Sequence, residues 1–304
     1  MHRPELLACL IQMNNAVMRD GSSQLDIGLK RRIAAICSFL NKSAYCVAHN
    51  TNTLMNTDDE GGEGWGFSRE DVAALKSELP RLFNEQHPAN IAEKSGGAVR
   101  TAMALHQRSD TFARLVRQPR LVEPAQQIAG PNLYIQQVKV NVKAAFIGEA
   151  WQWHYDFATH HADDGVPRPE ALNLHVFLDD VNEHNGPLYF IPGSHQFGPA
   201  PARHDTSSTS YPLWVVNTAD VGRLMEAGGI FSATGPAGTG LIFGDLLVHG
   251  SPNNMSPWDR AIFSVILNPP DNAQRSFSRP DYKHHQDFSP VVALNDDCLR
   301  TVIT

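Results

Sequence analysis

Two histidines and one aspartate in the second half of the chain have the residue types and the order of an iron site. His154 and Asp156 are two positions apart, and His249 follows Asp156 by ninety-three positions. Two imidazoles and one carboxylate on one face of an octahedron suit non-haem Fe(II), because they leave three positions open for a bidentate co-substrate and dioxygen. The three residues therefore predict a metal site for oxidative chemistry.

An arginine eleven positions after His249 strengthens this prediction. Arg260 is followed by the apolar residues Ala261, Ile262 and Phe263, which indicates that its side chain is buried. A guanidinium offers a fixed two-pronged donor that matches a carboxylate. A buried carboxylate clamp is therefore favoured over a surface salt bridge. A His-x-Asp tripeptide alone is a weak signal in a chain with 14 histidines, so the clamp carries much of the argument.

Short strands must position these residues. Between residues 133 and 143 valines alternate with Gln137, Lys139, Asn141 and Lys143, which predicts a strand whose polar face meets water or a wet cavity. Further strand-like runs cover 172–178, 187–191, 240–248 and 261–267, separated by Gly, Pro and Asn turns. Short strands without intervening helices favour an antiparallel jelly roll, a mainly β core with flanking helices. In a strand, residues i and i+2 share a face, so His154 and Asp156 could reach one ion.

Helices are predicted before the strands. Residues 1–50 contain apolar positions at helical spacing, and residues 50–66 have the composition of a flexible linker. We therefore divide the chain into an N-terminal helical extension with its linker, 1–65, and a catalytic domain, 66–304. Ser68 and Asp71 form a weak capping box for a helix with Val72, Leu75 and Leu79 on its apolar face. Two more helices are predicted over 110–118 and 119–129.

Composition excludes several classes of protein. The chain has 304 residues, 42% of them hydrophobic, and a net charge of -7, without the basic cluster that nucleic-acid binding requires. No apolar stretch reaches the roughly 18 to 20 residues that span a bilayer. The four cysteines lack CxxC spacing, which favours free thiols in a reducing compartment. We therefore expect a cytoplasmic protein with neither nucleic acid nor a membrane as partner. The cysteines are Cys9, Cys37, Cys46 and Cys298.

From about Phe67 to Pro269 the sequence resembles the phytanoyl-CoA dioxygenase superfamily of Fe(II)/2-oxoglutarate oxygenases, and within it the ectoine hydroxylases. The matching blocks are QVKVNVK at 137–143, WHYDF at 153–157, DGVP at 164–167, NGPL at 185–188, IPGSH at 191–195, and HGS at 249–251 with Arg260. Six blocks in the same order are more specific than any one triad. The resemblance implies a cupin-like double-stranded β-helix, in agreement with the jelly roll.

The resemblance also implies roles for individual residues. His154, Asp156 and His249 would ligate Fe(II), and Arg260 with Ser251 would hold the distal carboxylate of 2-oxoglutarate. Further co-substrate contacts are expected from Asn141 and Lys143, although a lysine on a polar strand face is more often solvated. The residues expected to line the substrate pocket are Gln137, Phe157, His160, Phe243 and Ser264.

Two pocket positions depart from the ectoine hydroxylases. His160 stands where those enzymes have a Trp, and Ser264 stands where they have a Phe. The loss of two apolar walls makes the pocket wider and more polar, which argues against ectoine itself as the substrate. The retained Asp156 argues for hydroxylation, because related halogenases replace this carboxylate to make room for halide.

We therefore predict an Fe(II)/2-oxoglutarate dioxygenase that uses O2 to hydroxylate an unactivated carbon of a small polar metabolite, an amino acid or an ectoine-like zwitterion, with release of succinate and CO2. One alternative is the same chemistry on an acyl-CoA, lipid-like or natural-product substrate, including desaturation or ring closure. Another is a metal-binding jelly-roll sensor without turnover. The sequence leaves the oligomeric state open and is compatible with a homodimer.

Overall fold

The computed structural model describes residues 66–300. The predictions for residues 1–65, which are helices, a flexible linker and three of the free cysteines, lie outside the described residues. They stay predictions, as does the domain boundary at residue 65. Cys298 is a buried free thiol, as predicted. No helix among the described residues is long and apolar enough to cross a membrane.

The larger of two facing sheets has six antiparallel strands and carries the predicted polar strand near its centre. The run predicted for 133–143 is confirmed, since it forms a strand from Tyr134 to Lys143. In spatial order the strands are β1 (Asn90–Ala92), β2 (Val99–Met103), β3 (Tyr134–Lys143), β12 (Arg260–Asn268), β5 (Leu172–Phe177) and β10 (Gly240–Gly244).

The smaller sheet has four strands, and a separate hairpin stands beside it. Its strands are, in spatial order, β4 (Trp151–His154), β11 (His249–Ser251), β6 (Leu188–Phe190) and β9 (Phe231–Ala233); the hairpin is β7 (Ala202–Asp205) with β8 (Leu213–Val216). The predicted single run 240–248 is wrong in one respect. The strand β10 ends at Gly244, and a turn at Asp245 and Leu246 takes the chain into the other sheet, where β11 begins. The two sheets together form the predicted double-stranded β-helix.

Three helices cover the outer face of the larger sheet: α1 (Arg69–Asn84), α2 (Asp110–Leu115) and α3 (Pro119–Ala129). Two others, α4 (Asp156–Ala162) and α5 (Thr218–Gly228), pack in a separate apolar cluster that includes Val216 of the hairpin. The capping box at the start of α1 is confirmed, because Ser68 and Asp71 exchange hydrogen bonds in both directions. The helix α2 ends before its predicted limit, since Gln118 instead caps α3 by accepting a hydrogen bond from Arg120 N at 2.6 Å. The helix α5 was not predicted.

The alternation of apolar and polar residues in β3 decides which side of the sheet is dry. Val138 and Val140 pack with Phe263 and Leu75 in a core between the sheet and the helices α1, α2 and α3. The polar residues of β3 project from the opposite face, toward the smaller sheet. The sheet therefore has one dry face, and its other face forms the wall of a polar cavity.

Candidate metal centre and its cavity

The smaller sheet brings the three predicted metal ligands together. His154 is the last residue of β4 and pairs across the antiparallel ladder with His249, the first residue of β11. Asp156 lies outside the strand, contrary to the extended segment expected from the sequence. Tyr155 keeps an extended backbone (φ -133°, ψ 141°) and Asp156 begins α4. A carboxylate in the first turn of a helix is favoured by the helix dipole.

The ligand atoms are close enough to share one ion. One atom from each of His154, Asp156 and His249 lies within 4.8 Å of the other two. The two histidine Nε2 atoms lie 3.8 and 3.9 Å from the oxygens of Asp156. The Nδ1 atoms lie 2.6 Å from Gln152 O and 2.9 Å from Leu247 O. An Nδ1–H that donates to a backbone carbonyl leaves the Nε2 lone pair free for a metal, so the donor set fits Fe(II).

The electrostatic surroundings keep two of these residues, His154 and Asp156, in the protonation states that bind metal. Burial, reinforced by His249, lowers the pKa of His154 to about 3. Burial alone would raise the pKa of Asp156, but His249, Lys139 and His154 together hold it below its usual range. A neutral imidazole and an ionised carboxylate are the forms that bind metal. The site is therefore ready to bind a cation at neutral pH.

Arg260 lies on the cavity wall at the start of β12 and is only 1% exposed. Its Nη2 donates to Ser251 Oγ at 3.2 Å, whereas its Nε has no hydrogen-bond partner. Burial lowers the pKa of Arg260 to about 9 despite the opposing effect of Asp179, so the group stays charged at neutral pH. No carboxylate among residues 66–300 forms an ion pair with it. A buried cation without an anion is costly, which makes the guanidinium a receptor for an external carboxylate.

The other predicted site residues fall into two groups. Gln137, Asn141 and His160 line the same cavity as the metal ligands. The amide of Gln137 donates to Lys283 O at 2.6 Å and accepts from Lys139 Nζ at 2.6 Å. Asn141 Oδ1 has no hydrogen-bond partner among the described residues. The predicted roles of these residues agree in position with the cavity and stay predictions.

The second group supports the site from outside the cavity. Lys143 Nζ donates to the backbone carbonyls of Glu149 and Pro252, and these contacts favour a structural role over a co-substrate contact. Phe157 packs in a separate apolar cluster with Tyr155. Phe243 contacts the His249 ring edge-on at a centroid distance of 5.1 Å, so it backs a metal ligand.

Several cavity residues were not identified from the sequence. They are Thr101, Met103, Lys139, Trp151, Thr159, Asn173, His175, Leu188, Tyr211, Leu213 and Arg279. Lys139 had a usable signal, since it shares the polar face of β3 with Gln137 and Asn141. The run 172–177 had another, because two polar residues alternate within an otherwise apolar strand. Arg279 had none, since it comes from irregular chain after the last strand.

Arg279 reaches the cavity from the C-terminal segment, residues 269–300, and a buried carboxylate fixes it there. Its Nε donates to Asp164 Oδ1 at 2.7 Å, and its Nη2 donates to Asp164 Oδ2. His284 Nδ1 lies 2.7 Å from the same carboxylate, which is fully buried. Burial would raise the pKa of Asp164, but hydrogen bonds from His284 and Arg279 lower it to about 2. Asp164 therefore ties the C-terminal segment to the site.

We expect the contribution of Asp164 to stability to depend on pH. Its folded-state pKa of about 2 lies below the ordinary 3.8, so the stabilisation is complete above pH 4 and is lost as the pH falls through 2. The difference in unfolding free energy between wild type and Asp164→Asn should be about 2 kcal/mol at pH 7 and should shrink toward pH 2. Urea unfolding at several pH values measures it. A constant difference would contradict the assignment.

Comparisons with known proteins agree with this geometry. Residues 63–262 match the family model described as Phytanoyl-CoA dioxygenase (PhyH). The chain is 36% identical over 254 residues to an L-proline trans-4-hydroxylase of Streptomyces griseoviridis, an alignment that covers 79% of this chain and 95% of that protein. It is 39% identical over 216 residues to an ectoine dioxygenase of Bordetella parapertussis, covering 68% of this chain and 70% of the relative.

Among solved structures, EctD from S. alaskensis with 2-oxoglutarate and 5-hydroxyectoine has a TM-score of 0.66 and 30% identity, covering 75% of this chain and 80% of that one. The same protein with bound Fe gives a TM-score of 0.66 at 29% identity, with the same coverage. The family model spans most of the chain and the relatives match across both sheets. The chain therefore belongs to the phytanoyl-CoA dioxygenase family.

Proposed function

We propose that this protein is an Fe(II)/2-oxoglutarate-dependent hydroxylase of a small amino acid or amino-acid-derived zwitterion. The observation that carries the proposal is the meeting of His154, Asp156, His249 and Arg260 in one cavity, with Arg260 lacking an anion among the described residues. The relatives named above add support, since one is named for L-proline and another for ectoine. Relatives at this level of identity guide the choice of substrates to test.

Each residue has a separate task in this proposal. His154, Asp156 and His249 would hold Fe(II). Arg260, oriented by Ser251, neutralises the distal carboxylate of 2-oxoglutarate and so fixes the co-substrate relative to the metal. When bound, Fe(II) with 2-oxoglutarate and O2 supplies the oxidation of a C–H bond, and succinate and CO2 leave. The protein's own contribution is position and charge.

The charges of the cavity favour a substrate with a carboxylate. Besides Arg260, the cavity contains the cations Lys139 and Arg279, and Asp156 is the only carboxylate among residues 66–300 that lines it. Arg279 is paired with Asp164, whereas within the described part of the chain Lys139 donates only to the neutral amide of Gln137. With 2-oxoglutarate assigned to the metal and Arg260, Lys139 is left for a second acid. An amino acid supplies that group.

The proposal predicts succinate release that depends on a small zwitterion. Iron-loaded protein should convert 2-oxoglutarate to succinate with L-proline or another amino acid in a panel that includes ectoine, and mass spectrometry should detect the gain of one oxygen. Fe(II) and 2-oxoglutarate without oxygen should give the weak visible band of a chelated keto acid. Retained binding without succinate from any compound would favour the sensor alternative, and no binding would contradict the site.

A homodimer and a cytoplasmic location complete the proposal. The sequence is compatible with a homodimer, and the spacing of its cysteines favours a reducing compartment. Size-exclusion chromatography with light scattering tests the dimer, and fractionation of expressing cells tests the location.

A further inference from the structure

Three buried polar side chains on the inner face of the larger sheet have no hydrogen-bond partner among residues 66–300 for any of their polar atoms. Asn173 and His175 lie on β5, and Ser264 on β12 pairs directly with His175 across the ladder. They are 0%, 4% and 0% exposed. The atoms without a hydrogen-bond partner are Asn173 Nδ2 and Oδ1, His175 Nδ1 and Nε2, and Ser264 Oγ.

Such a cluster is expensive in a folded protein. A buried donor or acceptor without a hydrogen bond costs about 1–3 kcal/mol. Apolar side chains of similar shape at these three positions would avoid that cost for all five atoms. Asn272 shows the ordinary alternative in the same protein. Its Nδ2 donates to Arg168 O at 2.7 Å and to Asn268 Oδ1 at 3.0 Å, and its Oδ1 accepts from Arg168 N at 2.8 Å.

The position of the cluster indicates what it meets. Asn173 and His175 line the metal cavity. The rings of His175 and Phe243 are in contact at a centroid distance of 4.9 Å, and Phe243 also contacts the ring of His249. Ser264 pairs on its other side with Lys139. Asn173 and His175 therefore share the cavity with the predicted metal ligands, and Ser264 lies between His175 and Lys139, a cation that forms no ion pair among residues 66–300.

The cluster is uncharged and offers three acceptors beside the donor groups of Asn173 Nδ2 and one His175 nitrogen. Burial and the charge of Lys139 hold the pKa of His175 well below its usual range, so the ring is uncharged and keeps one acceptor nitrogen. Asn173 Oδ1 and Ser264 Oγ are two further acceptors. An ammonium or secondary amine offers only donors, and it stands next to the carboxylate in every α-amino acid. Acceptors beside the ammonium of Lys139 therefore match the amino group and the carboxylate of an α-amino acid.

We propose that Asn173, His175 and Ser264 form a substrate subsite that accepts hydrogen bonds from the amino group of an α-amino acid, whose carboxylate is bound by Lys139. The inference rests on the proposed function and narrows its substrate class. It requires an amine on the carbon that carries the carboxylate and disfavours deaminated acids.

The first test compares L-proline with cyclopentanecarboxylate, which has the same ring and acid but no amine. Wild type should prefer L-proline by at least about 1,000-fold in kcat/KM, because a site built to hydrogen-bond a group strongly rejects an analogue that lacks it. Asn173→Leu and Ser264→Ala should each reduce this ratio by about tenfold or more, with the anaerobic 2-oxoglutarate band unchanged. L-leucine with 4-methylpentanoate gives a second matched pair.

The second test measures stability without any substrate. Asn173→Leu should raise the Tm of the protein, because it removes two unsatisfied buried atoms while keeping the volume. The matched control Asn272→Leu should lower the Tm, because it leaves Arg168 N without its partner and removes one of the two hydrogen bonds that Arg168 O accepts. A gain in stability together with a loss of amine discrimination is the signature of a binding group.

Different results would overturn the subsite and the proposed function separately. A fall in the Tm of Asn173→Leu similar to that of Asn272→Leu would mean that ordered water already satisfies Asn173, and the subsite would be wrong. Unchanged discrimination in both variants, or turnover only of compounds without an α-amine, would also sink the subsite while leaving the hydroxylase intact. Failure of every compound to drive succinate release would instead refute the proposed function.

Discussion

His154→Ala is expected to eliminate succinate release and to lower the iron content of the purified protein. His154 is one of the three residues proposed to hold Fe(II), and the hydrogen bond between its Nδ1 and Gln152 O orients its ring. Loss of an outer partner of a metal ligand already costs about 10- to 100-fold in affinity or activity. Loss of the ligand itself should therefore cost more than about 100-fold in kcat/KM. Metal analysis and succinate assays on the same sample measure both effects.

A matched histidine variant separates this effect from general damage. His184 is exposed and lies outside the cavity, so His184→Ala should keep the wild-type iron content and turnover. Circular dichroism should show the same fold for both variants. His154→Ala removes the ring contact between His154 and His249, whose centroids lie 4.2 Å apart, but it keeps the backbone pairing of the two strands. Full turnover by His154→Ala would mean that the metal is held elsewhere.

The sequence was informative where strand geometry or metal chemistry dictates which residue types must occur. The alternation in 133–143 predicted β3, its dry face and its polar face, because period two is imposed by strand geometry itself. The triad could be predicted because the ligands must be those residue types. Its local structure could not, because the strand ends at His154 and a helix begins at Asp156, with Tyr155 as an extended N-cap residue, and no propensity in the tripeptide indicates that change.

Sequence patterns missed parts of the cavity for two reasons. Asn173 and His175 alternate with apolar residues, but this signal is weak because the run as a whole has the pattern of a fully buried strand. The structure adds that these two polar side chains have no hydrogen-bond partners among residues 66–300. Arg279 depends on a long-range contact with Asp164, 115 positions away, which no local pattern encodes.

The walls of the cavity are less favourable for stability than the opposite face of the same sheet. Arg260, Asn173 and His175 are all buried with unsatisfied polar atoms, whereas the opposite face of the same sheet is packed with valine, leucine and phenylalanine. Groups that wait for a ligand cost free energy in its absence. The contrast between the two faces of one sheet thus marks the functional side without reference to any relative.

Arg260→Ala is expected to raise the 2-oxoglutarate requirement more than it lowers the maximal rate. The guanidinium lies at 1% exposure with its Nε unpartnered and its Nη2 on Ser251 Oγ, an arrangement ready for a second, anionic acceptor. Hydrogen bonds to charged groups contribute about 1.5–3 kcal/mol, so the KM for 2-oxoglutarate should rise about 10- to 100-fold. Succinate release at varied 2-oxoglutarate concentration separates KM from kcat.

Two further variants decide whether the fork or only the charge matters. Arg260→Lys keeps the charge but loses the two-pronged donor, so its KM should fall between wild type and Arg260→Ala. Arg168→Ala serves as the matched control, because Arg168 is a surface arginine paired with Glu170 and Asp271, and its loss should leave the KM unchanged. An unchanged KM in Arg260→Ala would require another cation for the diacid, and Lys139 is the one that the cavity offers, because it donates only to Gln137.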